Sequence, residues 1–370
     1  MKKLSISALI LVFVMVFSLS TSAVDLTAKS YGMGGANTGL ADDATAILYN
    51  PAGLSDSGFL GLQMDLGLGA SDISKIEQLR DDIEYLSQDF DASNADSIDD
   101  IFNNFPVIDA NGQLFVGGNF SSFGVGLNVD NEFKTEKVSA DVINANNTTN
   151  TSGILSISRE VETGFDQILG LAYGLNVKTL KTNYIGVTLD KTPGNSKQTT
   201  VNANGSGIGV DAGLMANLTE RIKVGVNFKN LLAPAYDLDG EKEIRTYTPD
   251  PNGDDWTTQT DSNYTEEYTP EKSIRVGGSV DIPVVNARVL GDIESFTSSG
   301  KSVVHLGAEK NLLFNGLSIR GGMYAPSDNE PTYTMGLGFN LAALHFDVAV
   351  GSNDGFNDNL NGVMSMNFQF

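Results

Sequence analysis

The chain ends on Val363-Met364-Ser365-Met366-Asn367-Phe368-Gln369-Phe370. Met364, Met366, Phe368 and Phe370 fall on one face of this segment, and Ser365, Asn367 and Gln369 on the other. A period of two is the signature of a β-strand, whose successive side chains point to opposite faces. The pattern recurs. Leu60, Leu62, Met64, Leu66 and Leu68 alternate with Gly61, Gln63, Asp65 and Gly67. Met335, Leu337, Phe339 and Leu341 alternate with Gly336, Gly338 and Asn340, and Leu344, Phe346, Val348 and Val350 with His345, Asp347 and Ala349. Similar runs occupy 113–120, 122–130, 166–178, 183–190, 206–218, 221–230, 273–282, 285–293, 302–310 and 316–324. Most have about nine to eleven residues, the length a tilted strand needs to cross a bilayer.

The two faces of these runs decide what surrounds them. A soluble sandwich keeps one face of each sheet wet and buries the other in a dry core. Here one face is apolar on nearly every run, while the other carries Asp65, Asp130, Lys178, Asp211, Lys223, Arg275, Asp281, Arg288, Asp292, Glu309, Arg320 and Asp347. Charges of both signs suit a polar lumen and not a dry core. A closed barrel also leaves no unpaired edge in lipid.

The links give a strand count. Read back from Phe370, long links (352–361, 325–332, 294–301, 231–272, 191–205, 131–165, 70–112) alternate with short ones at Ala342, 311–315, Pro283-Val284, Thr219-Glu220, 179–182 and Ser121. Outer-membrane barrels have short periplasmic turns and longer external loops. The fold expected over 59–370 is therefore all-β, a transmembrane antiparallel β-barrel of about 14 strands with both ends periplasmic.

Composition removes other classes. Hydrophobic residues make up 41% of the 370 and charged residues 19%, too apolar for a disordered chain. Without cysteine there is no disulfide framework, thiol nucleophile or thiolate metal site. A formal charge of −23 repels phosphate backbones, so no nucleic-acid partner is expected. Residues 1–23 have the layout of a secretory signal peptide: Lys2 and Lys3, an apolar run from Leu9 to Phe17, then Thr21-Ser22-Ala23. Together with the strands this implies export to a cell outer membrane, with membrane lipid as the surroundings.

Residues 24–58 precede the first strand and are rich in Gly and Ala, with little period-two order. A segment of small residues can thread a confined space and approach other backbones closely. It reads either as a periplasmic lead-in or as a plug in the lumen. Within it stand Gly32-Met33-Gly34-Gly35-Ala36, Ala41-Asp42-Asp43-Ala44-Thr45-Ala46 and Tyr49-Asn50-Pro51-Ala52-Gly53-Leu54. These resemble the opening of the FadL-like outer-membrane proteins. Gly209-Val210-Asp211-Ala212-Gly213-Leu214, Lys223 to Leu231, His305 to Glu309 and Ile319 to Met323 are similar to the PorV and conjugal-transfer TraF-like branch of that superfamily. The resemblance implies a fourteen-stranded barrel with an N-terminal hatch over 24–58, and places Gly34, Gly35, Asn50, Pro51 and Ala52 in it. In the fatty-acid transporters the hatch blocks the lumen and substrate leaves sideways through a gap in the wall. This chain is shorter than those transporters and has a strongly acidic first loop.

Two loops stand out. Over 75–104, Ile76, Leu79, Ile83, Leu86 and Phe90 recur at spacings of three and four, opposite Glu77, Asp81, Asp82, Glu84 and Asp89. The spacing predicts an amphipathic helix. Its stripe is expected to cover the barrel mouth as a lid, to form an apolar entry groove for a lipid-like ligand, or to dock a partner protein. The loop 231–272 sets Tyr236, Tyr247, Trp256, Tyr264 and Tyr268 among acids. Asp250, Asn252, Asp254 and Asp255 match a calcium loop poorly, since no glycine or glutamate stands where that motif needs one. His305 and His345 are the only histidines, both mid-strand and facing inward, and no Gly-x-Ser-x-Gly elbow is present. No enzyme activity, cofactor or metal is expected. The leading expectation is transport of a hydrophobic, fatty-acid-like molecule across the outer membrane. The alternative is a secretion or envelope accessory that anchors a partner protein through its external loops.

Overall fold

The computed structural model describes residues 27–89, 95–162, 169–192, 196–248, 255–357 and 359–370. The signal-peptide segment 1–23, Phe90 and Asp250, Asn252 and Asp254 lie outside the described residues.

Alternating side chains make sixteen strands here. The first seven are β1 (Leu60–Ala70), β2 (Asp109–Phe120), β3 (Phe123–Lys137), β4 (Val142–Val161), β5 (Gly170–Asp190), β6 (Lys197–Thr219) and β7 (Ile222–Leu232). A hairpin follows, β8 (Tyr236–Thr248) and β9 (Asp255–Tyr268). Then come β10 (Ser273–Ile282), β11 (Ala287–Phe296), β12 (Ser302–Leu312), β13 (Leu317–Pro326), β14 (Thr332–Leu341), β15 (Leu344–Ser352) and β16 (Leu360–Gln369). β1 to β7 and β10 to β16 pair with their neighbours, β7 pairs with β10, and β16 closes on β1. The result is a closed antiparallel barrel of fourteen strands, with β8 and β9 standing outside the ring.

The alternation sorts the two faces as expected. Outward Leu62, Met64, Val276, Ile293, Leu306, Met335, Leu337, Phe346, Met364 and Met366 are all exposed. A continuous apolar band of this kind far exceeds the patch a water-soluble monomer tolerates. Phenylalanines gather at the short-turn end, where Phe59 packs on Phe120 at 4.6 Å and Phe368 on Phe370 at 4.5 Å. Aromatic rings are favoured at a membrane–water interface. No helix among the described residues is long and apolar enough to cross a membrane. A charge in the band should be costly: Leu337→Arg, in the middle of β14, is expected to lower stability by about 2–4 kcal/mol in reversible urea unfolding from lipid.

Two expectations about the loops need correction. The links 131–165, 191–205 and 231–272 are largely strand, not loop, and the short link expected at 179–182 is the middle of the continuous strand β5. β4, β5 and β6 run 20, 21 and 23 residues, against 11 for β12. Some ten extra residues carry this side of the barrel roughly 30 Å further along the strands. The hairpin extends the same sheet, with Asp239–Thr246 of β8 pairing to Lys197–Asn204 of β6. The extension is rich in Asn and Thr on both faces, so it carries strand geometry without hydrophobic alternation.

Two short helices, α1 (Ala28–Tyr31) and α2 (Ala46–Tyr49), precede β1, and the helical stretch 75–104 forms two more, α3 (Ile76–Asp89) and α4 (Ala95–Asn104). They do not cover the mouth. Leu79, Ile98, Phe102, Phe105 and Ile108 pack with Ala110, Phe133, Ile143 and Leu189. Strand register puts those last four on the outward side: Ala110 is opposite Phe133, Ile143 is opposite Leu189, and Phe115 and Asn128, of the other parity, face in. The helices therefore lie against the outer surface of the tall wall, because that is where the apolar partners for their stripe are.

Candidate functional site

The lumen is filled by residues 27–57, nearly all of them buried. Two short helices, α1 (Ala28–Tyr31) and α2 (Ala46–Tyr49), and a 3-10 turn over Pro51–Ser55 give this inner segment its shape. Asn50 is extended. Its side chain accepts from the Ala52 N–H at 3.2 Å and donates to the Thr38 carbonyl at 3.1 Å and to Leu214 of β6 at 3.0 Å. Pro51 then opens the turn, where its missing N–H costs nothing. Gly34 and Gly35 have φ of +66° and +81°, a region that favours glycine.

Buried main-chain groups need partners, and here the barrel's inward polar side chains supply them. Asp292 accepts from the Asn37 and Thr38 N–H groups at 2.9 and 3.0 Å. Ser279 donates to Gly39 O at 3.0 Å, and Asn176 to Ile47 O at 2.8 Å. Thr334 accepts from Gly34 N–H at 3.0 Å, and His305 Nδ1 lies 2.8 Å from Gly34 O. Arg275 donates to Gly35 O while pairing with Asp292 at 3.0 Å and Glu294 at 3.6 Å. At the short-turn end Lys223 pairs with Asp56 at 2.6 Å and Lys29 with Asp42 at 2.7 Å. Arg275 ties three groups at once, and removing one partner of a buried pair costs about 3–5 kcal/mol. Arg275→Ala should therefore expose residues 27–57 to protease while the barrel stays intact on a gel.

Close approach also needs clearance. A Cβ at Gly174 would overlap the backbone of Pro51 and Ala52, and one at Gly213 the Asn50 side chain. Gly39 faces Gly278 so closely that its own Cβ would stand 2.6 Å from the Gly278 Cα.

Among the described residues, two cavities flank the inner segment. The lower one, about 530 Å³, is polar and lies among Lys29, Asp42, Lys223, Arg320, His345 and Asn367. The upper one, about 400 Å³, has Ile47 and Leu48 in its lining, with Ile154, Leu180, Tyr236, Tyr268 and Phe296. Both volumes fall in the range of small-molecule sites.

The upper cavity abuts a defect in the wall. Among the described residues the barrel's ladders run in unbroken register except between β6 and β7. There Val210 pairs with Leu232 and Ala212 with Phe228, so Asp211 alone faces Lys229, Asn230 and Leu231. Just above, Gly205 to Gly209 of β6 have no ladder partner on that side, because β8 pairs only from Asn204 upward. Side chains replace the lost main-chain bonds. The Asn230 N–H donates to Asp211 at 2.7 Å, and Lys178 Nζ sits 2.7 Å from Asp211 and 2.8 Å from the Asn230 side-chain oxygen. Asn176 donates to Asp211 at 3.0 Å. Lys178, Asp211, Lys229 and Asn230 all line the upper cavity.

Of the residues singled out from sequence, Gly34, Gly35, Asn50, Pro51 and Ala52 lie in the inner segment, the last three against β5 and β6. Ile76 and Leu79 pack in the helix–sheet cluster and line neither of these cavities; Ile83 and Leu86 are carried by the same helix α3. Asn230, in the left-handed region within β7 (φ +53°), and the alternate glycines at 205, 207 and 209 mark the defect. Higher up, Tyr264 donates to Glu266, and that bond pushes the phenol up to about 12.

No protein-family model and no curated protein matches the chain. Solved structures do. The toluene transporter TodX of Pseudomonas putida is similar with a TM-score of 0.62 at 12% identity, covering 95% of this chain and 100% of that one. The toluene transporter TbuX of Ralstonia pickettii is similar at 0.60 and 13%, covering 93% and 98%. A FadL homologue of Pseudomonas aeruginosa is similar at 0.57 and 13%, covering 95% and 100%. At such identities the likeness establishes a shared fold.

Proposed function

We propose that this protein is a FadL-like outer-membrane channel for a hydrophobic small molecule, which enters the upper cavity and leaves sideways through the wall. One observation carries the reading: the cavity on the tall-wall side of a plugged lumen is bounded by the one interrupted ladder of the barrel. With the axis closed by residues 27–57, that seam is the shorter way out, and it opens toward the apolar band. In this reading the inner segment is a hatch and the tall wall faces outside the cell. The similar folds of the toluene transporters TodX and TbuX support the same substrate class. The test is naphthalene uptake by vesicles whose outer leaflet is lipopolysaccharide, a barrier that apolar solutes cross slowly unaided. Uptake is expected to be saturable and faster than in protein-free vesicles, without ion conductance. A rate equal to that of protein-free vesicles would contradict the proposal.

A second reading, closer to the PorV and TraF-like resemblance, is supported by β9. Among the described residues it pairs only with β8 and leaves its other edge open, and an open edge is a template for an added strand from a partner protein. Crosslinking from β9 in whole cells should then capture a defined envelope protein; the absence of any discrete adduct would remove this reading.

A further inference from the structure

The upper cavity is not lined as a hydrocarbon site would be. On its tall-wall side Tyr236 and Tyr268 stand across the β8–β9 pair with ring centroids 5.3 Å apart at 45°. The Tyr236 hydroxyl lies 2.8 Å from Thr182 Oγ1, which donates to Asn150 at 2.6 Å. One turn of the alternation higher, Tyr184 donates to Asn146 at 3.1 Å. Nearby, Asp130 accepts from Asn128 at 2.7 Å through one carboxylate oxygen, while the other is buried with no hydrogen-bond partner.

This combination selects among ligands. A pure hydrocarbon would add no hydrogen bond to these amide, hydroxyl and carboxylate groups and would strip water from their remaining capacity, at about 1–3 kcal/mol for each group so left. A fatty carboxylate would enter a lining in which Asp130, Glu132, Asp211 and Glu271 outnumber Lys178, Lys181 and Lys229, and Lys178 is already held by Asp211. A neutral ring bearing hydroxyls meets neither objection. Its C–H face fits a tyrosine pair, and its hydroxyls can donate to the Asp130 carboxylate, which lines the cavity.

We propose that the upper cavity binds an amphiphile whose head is a neutral, hydroxylated ring of the sugar type. The head lies against Tyr236 and Tyr268 and donates to Asp130, and the apolar tail rests on Ile47, Leu48 and Ile154. The inference rests on the uptake reading and narrows its substrate class.

The test is calorimetric titration of the full chain in lipid nanodiscs, with empty nanodiscs as the blank. The probes are hexyl glucoside, hexanoate and toluene. Hexyl glucoside is expected to bind at least about tenfold tighter than hexanoate, a difference of about 1.4 kcal/mol. Tyr268→Ala should weaken the glucoside about fivefold or more. Asp130→Asn, which keeps the shape, should weaken it about threefold while leaving toluene within about twofold. Hexanoate binding as tightly as the glucoside, or a glucoside affinity indifferent to both substitutions, would overturn the proposal. Toluene binding without glucoside binding would sink the head-group inference alone. Failure of all three probes would sink the uptake reading with it.

Discussion

Gly174→Leu combined with Gly213→Leu is expected to turn a closed barrel into an open pore. Neither glycine is needed for strand geometry, since both stand in regular ladders. Their role is clearance: the inner segment occupies the space a side chain would take, with Pro51, Ala52 and Asn50 against the two Cα atoms. The barrel ladders are far more extensive than the bonds holding the segment, so the segment is what moves. Leucine at both sites should push Asn50 to Ala52 off β5 and β6 and break the Asn50 bond to Leu214. In planar bilayers the native protein should be electrically silent, and the double variant should show stable steps approaching those of a chain lacking residues 27–57. A silent double variant that still folds would mean that the segment can shift without unblocking the lumen.

The second large effect concerns the wall. Asn230 and Leu231 are the surplus residues of the β6–β7 seam. Deleting both would place Lys229 opposite Asp211 and keep Leu232 opposite Val210, restoring an even ladder. The deletion leaves the inner segment's bonds untouched, so the lumen stays closed. Uptake of an apolar solute through lipopolysaccharide-coated vesicles should fall by about tenfold or more, a barrier change of roughly 1.4 kcal/mol or larger. Unaltered uptake in the deletion variant would show that solute leaves elsewhere. The Lys178–Asp211 pair is retained and main-chain bonds replace the contacts of Asn230, so the variant is expected to fold, which urea unfolding checks.

The two predictions also mark what could be read from the chain and what could not. Barrel and inward charge were visible because lipid imposes strict alternation on any strand that crosses it: Met364, Met366 and Phe368 have no other arrangement available. The count of fourteen holds because β4, read as part of a link, offsets β5, read as two runs. Where the strands leave the apolar band that constraint ends. Asn144 to Thr151 and Thr199 to Asn204 extend the sheet with polar residues on both sides, and period two vanishes although the strands continue. The helical stripe of Ile76, Leu79 and Phe102 was visible as amphipathic, but the partner that receives it was not. Phe133, Ile143 and Leu189 meet only through strand register. The seam was hidden for a related reason. Asp211, Lys178 and Asn230 are distant in sequence, and each taken alone is an ordinary lumen residue. Gly205, Gly207 and Gly209, three glycines on one face of one strand, mark the place, and the first two are small because Asp237 and Tyr236 of β8 lie against them.

Everything rests on lipid being the medium that touches the outward faces. The chain has no native cysteine, so single cysteines can carry spin labels without background. Labels at outward Leu337, Phe339, Met364 and Met366 should show high accessibility to oxygen and low accessibility to a water-soluble nickel chelate in lipid vesicles. Labels at Asn340 and Asn367, which line the lower cavity, should show the reverse. Outward labels that meet the nickel chelate as freely as the inward ones would contradict the account.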